Sequence, residues 1–542
     1  MELLSRLSSR RLRLLSLLLI CGALLGLARV PKPSTAAPDL TSAPRAVPYA
    51  DVNPLGANFF LDREVEAWKR EQTLKLAKEA GIGWIKQLFP WEEIEPQKGY
   101  FFDDKYKKST WQKYDEIVDL AEQYGLRIIA RLDRPPAWTR KDNRYATAPP
   151  DNLDDYVAYV KTIVARYKGR IQYYQVWNEP NIWPEWGDQS VNPAGYVEML
   201  KRAYTAAKQV DPDVVILSAP LAQTLEETPR NMSELKYLAA MYQAGAKDYF
   251  DILAANGYGF KAPPDAPADP KVLNFARLKL LREVMERYGD NHKAVWLNEF
   301  GWNASPEGLP RDKLTWERVT EQEQAAYTAQ AITLARSWGW IGVLNTWYFR
   351  QVGDIPVERS DYFFRVIDVD FTPRNLFYTL KELGQQFHVA PPGLYEETNA
   401  AVAPQGAWRG RYMDGASGLR VLQSPEGASK IAFSIKGTEL ALTVVTGSET
   451  NRLQVTVDGR SSGTVELPSS DTPQFAKTTI VSGMSPETHT ITLEQLSGPG
   501  WAFDTFEVVN NPNTLPFWLL LAGALLGGVG LAVSFIFRWQ RQ

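Results

Sequence analysis

Two residue types that carry much of enzyme chemistry are nearly missing from this sequence. The single cysteine, Cys21, sits near the start of a chain of 542 residues. The body of the chain therefore has no disulfide and no cysteine-type zinc site. The three histidines, His292, His388 and His489, fall in no motif. That argues against a Ser-His-Asp site and against a histidine metal cluster. Neither sign of charge dominates either: Lys+Arg number 60 against 63 for Asp+Glu. Nothing here asks for a nucleic-acid partner or an acidic ligand. No metal and no organic cofactor is expected, and the chemistry falls to carboxylates.

Aromatics, by contrast, are plentiful, with 18 tryptophans. An indole is a good stacking surface for a sugar, whose C–H faces are apolar and whose hydroxyls bond at the rim. Three of the tryptophans fall in one stretch, Ile171–Gly187, IQYYQVWNEPNIWPEWG. Its run Tyr173–Trp177 is aromatic and β-branched and stops at Asn178-Glu179-Pro180. Since Pro180 denies the next ladder bond, the pattern predicts a buried strand ending at Asn178 or Glu179. An acid at such a strand end can cap a following helix. Set among Trp177, Trp183 and Trp186, however, it is costly as core and suited to a raised pKa, as a general acid requires.

A second stretch repeats the grammar. Ala294–Trp302, AVWLNEFGW, runs apolar into Asn298-Glu299 and then aromatics. Glu179 and Glu299 are 120 residues apart. In a repeating strand–helix fold that is about three units of roughly 40 residues. Two strand-end carboxylates on one cavity are what glycoside hydrolysis needs: one proton donor, and one nucleophile or base.

Trp177-Asn178-Glu179-Pro180 followed by Glu299-Phe300-Gly301 resembles the retaining glycoside hydrolases of the large (β/α)8 clan, clan A. Trp177–Asn181, with Pro135-Pro136-Ala137-Trp138 upstream, is similar to family 39 or its relatives; Glu299-Phe300-Gly301 is also similar to family 5. The resemblance covers roughly residues 50–390. It implies that Glu179 is the acid/base and Glu299 the nucleophile. It further implies that Asn178 bonds the sugar 2-hydroxyl, that Tyr258 touches the nucleophile or ring, and that Trp347 floors the sugar subsite. Trp138, Trp183 and Trp302, beside these motifs, complete the candidate substrate-binding set. Two departures stand out: Lys86 where many members carry Arg, and Asn256 where His is common. Lysine cannot grip a carboxylate in bidentate fashion as arginine does.

Along the chain, residues 1–30 carry Arg6, Arg10, Arg11 and Arg13 and then the apolar run Leu14–Leu27. They read as a secretory signal, with Ser34–Ala37 as small residues for cleavage, or as an uncleaved anchor. Residues 31–50 read as a Pro/Ala/Ser linker. Strand–helix alternation over 51–392 gives eight units: an α/β (β/α)8 TIM barrel. Ala401–Pro404 reads as a junction. Short β-rich runs over 400–510, such as Lys430–Lys436 and Phe503–Val509, predict a β-sandwich of jelly-roll type. It serves either to bind sugar, through Trp408 and Trp501, or as a spacer. Residues 515–537 hold 23 uncharged residues. At about 1.5 Å each they span roughly 34 Å, enough for a bilayer core. Arg538 and Arg541 behind them place the C-terminus in the cytoplasm.

The chain thus reads as a membrane-anchored, extracytoplasmic retaining glycosidase acting on a poly- or oligosaccharide. The alternatives are a non-catalytic carbohydrate-binding or sensory barrel, and a cell-surface transglycosidase.

Overall fold

Eight apolar runs pair as eight parallel strands, because each has its N–H and C=O groups free on both edges and a helix to return the chain. The computed structural model describes residues 9–27, 47–353, 358–511 and 515–539. The strands are β1 (Leu55–Phe59), β2 (Trp84–Pro90), β3 (Arg127–Asp133), β4 (Tyr173–Val176), β5 (Val215–Leu217), β6 (Leu253–Tyr258), β7 (Val295–Gly301) and β8 (Ile341–Thr346). They form one sheet in the order β5-β4-β3-β2-β1-β8-β7-β6, and a parallel bridge between Leu217 and Ile252 closes it. A (β/α)8 barrel is what the alternation predicts, and it is what forms.

The helix that follows β6, Leu278–Arg287, begins only after a 3₁₀ turn, Phe275–Arg277, capped by Asn274. Apolar residues on the outward strand faces pack beneath the helices. Inside, the N-terminal half of the barrel is plugged by Trp84, Tyr173 and Trp296, whose rings lie 4.8 to 5.2 Å apart. The C-terminal half is lined with polar side chains.

The β-rich region is a sandwich of two antiparallel sheets. One runs β11 (Arg409–Tyr412), β12 (Arg420–Gln423), β19 (Ala502–Val509), β14 (Glu439–Val445) and β17 (Phe475–Val481), with β9 (Gly393–Glu396) also on β19. The other runs β10 (Val402–Gln405), β13 (Lys430–Lys436), β18 (Thr488–Ser497), β15 (Arg452–Val457) and β16 (Arg460–Glu466). Alternation is clear in β13, where Ile431, Phe433 and Ile435 face the core. It is faint in β9 to β12, which are short and polar, and that is why the stretch read as a junction actually contains strand Val402–Gln405. The sandwich begins with β9, ahead of residue 400. Trp408 and Trp501 do not face solvent together as a sugar platform. Trp501 is 3% exposed and packs edge-on against the half-buried Trp408, and each indole N–H is spent on a partner inside the domain.

The sandwich also holds a serine–histidine–aspartate row. His489 Nδ1 lies 2.7 Å from Asp458 Oδ2, and Nε2 lies 3.0 Å from both the hydroxyl and the carbonyl of Ser485. A carbonyl accepts only, so Nε2 carries a proton, and the carboxylate holds a second on Nδ1. Burial opposes that charge, but Asp458 and the Ser485 carbonyl outweigh it and raise the His489 pKa. These contacts tie the ring between Asp458 and Ser485 inside the sandwich, away from the barrel.

The N-terminal helix α1 (Ser9–Leu27) lies antiparallel against the C-terminal helix α10 (Leu515–Trp539). Gly527 and Gly530 meet Ser16 there, and Gly26 meets Leu520, close approaches that a Cβ would obstruct. The stretch 515–533 is long and apolar enough to cross a membrane. The small-residue stretch Ser34–Ala37, most of the expected 31–50 linker, and Arg541 lie outside the described residues.

Candidate active site

The polar end of the barrel holds a cavity of about 270 Å³ with both Glu179 and Glu299 on its wall. Irregular backbone turns each acid inward. In β4, Tyr173 faces the barrel interior and Tyr174 and Val176 face the helices. Strict alternation would point Trp177 inward. Instead the strand ends at Val176, and Trp177 takes φ 73°, a left-handed value costly for a bulky residue. Its indole goes outward among Tyr156 and Trp186. Asn178 and Glu179 (φ 38°) are thereby freed toward the cavity, with Glu179 N–H bonded to the Pro220 carbonyl at 3.0 Å. The expected strand end at Asn178 or Glu179 is therefore two or three residues too late.

Glu299 lies inside β7, which continues to Gly301. Trp296 faces inward and Leu297 outward. Opposite β6, Leu297 pairs with Ala255 but Glu299 pairs with Asn256. The extra residue, Asn298, makes a β-bulge, and the bulge flips Glu299 from the outward face to the inward one.

The two acids have different neighbours. Glu299 accepts from Lys86 Nζ at 3.0 Å and from the Tyr258 hydroxyl at 2.8 Å, one on each oxygen. Both donors are buried, and burial with the nearby Glu299 charge keeps Tyr258 protonated. Burial also pulls Lys86 down to about 8, against the pull of Glu299. Among the described residues, Glu179 accepts only from Asn256 Nδ2, at 2.5 Å. Burial, then repulsion from Glu299 and Glu185, pushes its carboxyl up to about 8. One carboxylate braced by a cation and a phenol, beside a second acid that keeps its proton, is a donor–nucleophile pair in chemical terms.

Of the remaining candidates, Asn178 and Trp347 line the cavity and Tyr258 reaches it through its hydroxyl. Trp302 does not. It is 1% exposed, packs on Phe275 and Tyr327 outside the strands, and donates to the Ala262 carbonyl. Trp138 packs edge-on against Trp91 and donates to the Glu95 carbonyl, away from the acids. Trp183 is 43% exposed on the loop after β4, beside Tyr145 and under Arg230. The indoles near Glu179 in sequence thus support it from outside the barrel. Lys86 and Asn256, noted in sequence only as departures, are the partners of the acids. Glu185, Arg131 and Arg134 also line the cavity, and no motif flagged them. Trp316, on the loop after β7, covers Tyr258 at 4.4 Å between rings.

Residues 77–222, which span β2 to β5 and include Glu179, match the model of glycosyl hydrolase family 10. In this stretch the barrel is similar to the glycoside hydrolases of that family. Over 114 residues the chain is 26% identical to a 6-phospho-beta-glucosidase of Clostridium longisporum, covering 20% of the chain and 23% of that protein. The chain thus matches under a quarter of the length of that relative. Among solved structures, it is similar to a family 39 glycoside hydrolase of Bacteroides cellulosilyticus WH2, at 18% identity, TM-score 0.47 and 81% of each chain. It is also similar to a family 39 beta-xylosidase of Caulobacter crescentus, at 14% identity, TM-score 0.45, and 83% and 98% of the two chains.

Proposed function

We propose that this chain is a retaining glycosidase hydrolysing O-glycosidic bonds of an oligo- or polysaccharide. The observation that carries the reading is the unequal pair of buried acids on one cavity. Glu179 gives its proton to the glycosidic oxygen as Glu299 attacks the anomeric carbon. The C–O bond to the leaving group breaks and a glycosyl-enzyme ester forms on Glu299. Glu179, now a carboxylate, takes a proton from water, which displaces Glu299 and restores both groups. Tyr258 and Lys86 hold Glu299 on line, and Trp347 floors the sugar. A carbohydrate-binding or sensory barrel has no use for two such acids. A transglycosidase shares the first half of the cycle and differs only in its acceptor.

A 2-deoxy-2-fluoro glycoside tests the assignment, since it stalls at the ester. A peptide map should show the label on Glu299; a label on Glu179 reverses the roles. Glu179→Ala should keep its first step on an activated aryl glycoside and stall at the second. Azide should then restore turnover and release a glycosyl azide of retained configuration.

The same reading makes α10 a membrane anchor with the barrel outside the cytoplasm. Its 25 residues span about 37 Å. The pairing of α1 with α10 favours an uncleaved α1 and a two-pass hairpin. Removing Leu515–Gln542 decides between them: a soluble product means a cleaved signal, and a membrane-bound one means that α1 is itself an anchor.

A further inference from the structure

The catalytic cavity carries more positive charge than a neutral sugar has use for. Four cationic side chains line it: Arg63, Lys86, Arg131 and Arg134. Two are committed. Lys86 is paired with Glu299, and Arg131 Nε lies 2.6 Å from Asp133 Oδ2. Among the described residues, Arg63 and Arg134 form no ion pair. Each is nonetheless placed. The Arg63 guanidinium sits 4.7 Å from the centroid of the Phe60 ring, and that ring meets Trp347 edge-on at 5.8 Å. Arg63 therefore stands beside the tryptophan that floors the cavity. Arg134 follows the end of β3 at φ 58°, and its carbonyl accepts from Glu92 N–H at 2.8 Å. A left-handed arginine held this way is backbone strain at the mouth of a site, where strain tends to serve function.

The charges opposite them do not balance the account. Glu299 and Asp133 are matched by Lys86 and Arg131. Glu179 holds its proton to about 8. Glu185 accepts from Asn178 at 3.4 Å, and burial raises its pKa although Arg131 and Arg134 oppose the shift. Glu92 lies in the field of Arg134 and Asp62 in that of Arg63, but neither is within ion-pair distance of its arginine. Arg63, exposed at the rim, and the half-buried Arg134 thus keep guanidinium donors at the mouth of the cavity. Such a cavity favours an anion, and a guanidinium is the donor best shaped for an oxyanion.

Building on the glycosidase reading, we infer that the sugar in this cavity bears an oxyanion, a uronic carboxylate or a sulfate ester, received by Arg63 and Arg134. The substrate class is then an acidic poly- or oligosaccharide. The arginines bind and orient the sugar; they do not take part in bond breaking.

The test uses matched aryl glycosides in both anomers: the uronide, its neutral hexoside and the hexoside 6-sulfate. Turnover is measured with the full chain. Binding is measured separately with full-length Glu299→Gln, so that the inference is judged even if turnover fails. The anionic member should be favoured by roughly ten- to hundredfold, as charge-assisted hydrogen bonds typically allow. Preference for the uronide names a carboxylate and preference for the 6-sulfate names a sulfate. Arg63→Gln and Arg134→Gln should each cut the preference toward one, through KM more than kcat, and Arg63→Lys should keep part of it. Equal or tighter binding of the neutral sugar overturns the inference, as does a preference that survives both glutamine variants. Failure of the fluoro-sugar to label either glutamate would instead count against the glycosidase reading.

Discussion

Two clusters of buried carboxyl groups, one at the barrel mouth and one at the junction of barrel and sandwich, differ in what surrounds them. At the barrel mouth are Glu179 and Glu299. At the junction of barrel and sandwich are Asp51, Glu396, Glu397 and Asp504. Burial raises pKa values in both: Glu396 to about 7 and Asp504 to about 6, with Glu397 and Asp51 also pushed up. The partners differ. Glu299 has a lysine on one oxygen and a phenol on the other, while Glu179 has a single amide. At the junction, Glu396 takes the Ser417 hydroxyl and the Asp51 carboxyl takes the Glu396 N–H and the Asn399 amide. One oxygen each of Glu396, Glu397 and Asp504 is buried with no hydrogen-bond partner among the described residues. A shifted pKa alone therefore does not mark a site. What marks the barrel mouth is the division of labour between its two acids, and an open cavity between them.

The comparison breaks most sharply under substitution. Glu299→Ala should abolish turnover on every substrate, by about 10⁴-fold or more, because the covalent step has no substitute. Glu397→Gln, at an equally buried acid, should leave kcat/KM within about twofold of wild type, because Glu397 lies at the junction and not on the cavity. Steady-state assays on one aryl glycoside check both, and a large loss from Glu397→Gln would erase the distinction drawn here.

A smaller effect should appear in the pH profile. In the proposed mechanism Glu179 acts while protonated, and its pKa is raised to about 8. The acid form is present below that value and lost above it, so kcat/KM should fall as pH rises through about 8, tenfold per unit. Lys86 titrates in the same range. Lys86→Arg keeps a cation on Glu299 and removes that titration, so the limb should persist in it. A limb that vanishes in Lys86→Arg belongs to the lysine instead.

The smallest effect concerns stability. Glu396 and Asp504 hold protons in the folded state at pH values where the unfolded chain has released them. Folding stability should therefore decline as pH rises from the usual carboxylate range to about 7. Glu396→Gln should flatten the decline, by a few degrees in Tm. Thermal melts of the full chain between pH 4.5 and 7.5 read this directly. Unchanged slopes would mean that the junction carboxyls are better solvated than their burial implies.

Much of this was legible in the sequence. Strand–helix alternation and helix-stopping glycines specify the barrel, because apolar periodicity and caps are local. Glu179 and Glu299 stand out because an acid ending an apolar run is expensive. Strands β9 to β12 escaped because they are short and half-polar, with stability that comes from pairing. The tryptophans misled for a related reason. Nearness in sequence to an acid does not say which face of the strand an indole takes, and Trp302, Trp408 and Trp501 satisfy their N–H groups inside the packing.

By itself, then, the sequence determined that two acids would end apolar runs in a repeating α/β fold ahead of a sandwich and an apolar tail. The tertiary structure decided which way those acids face. Strict alternation would turn Trp177 inward and Glu299 outward. A left-handed Trp177 and a bulge at Asn298 reverse both. Such departures are held by contacts from distant strands, such as Pro220 on Glu179 and Asn58 on the Asn298 carbonyl, 240 residues away. Lys86 stands 213 residues from Glu299 and Asn256 stands 77 from Glu179, so their roles emerge only when the barrel closes.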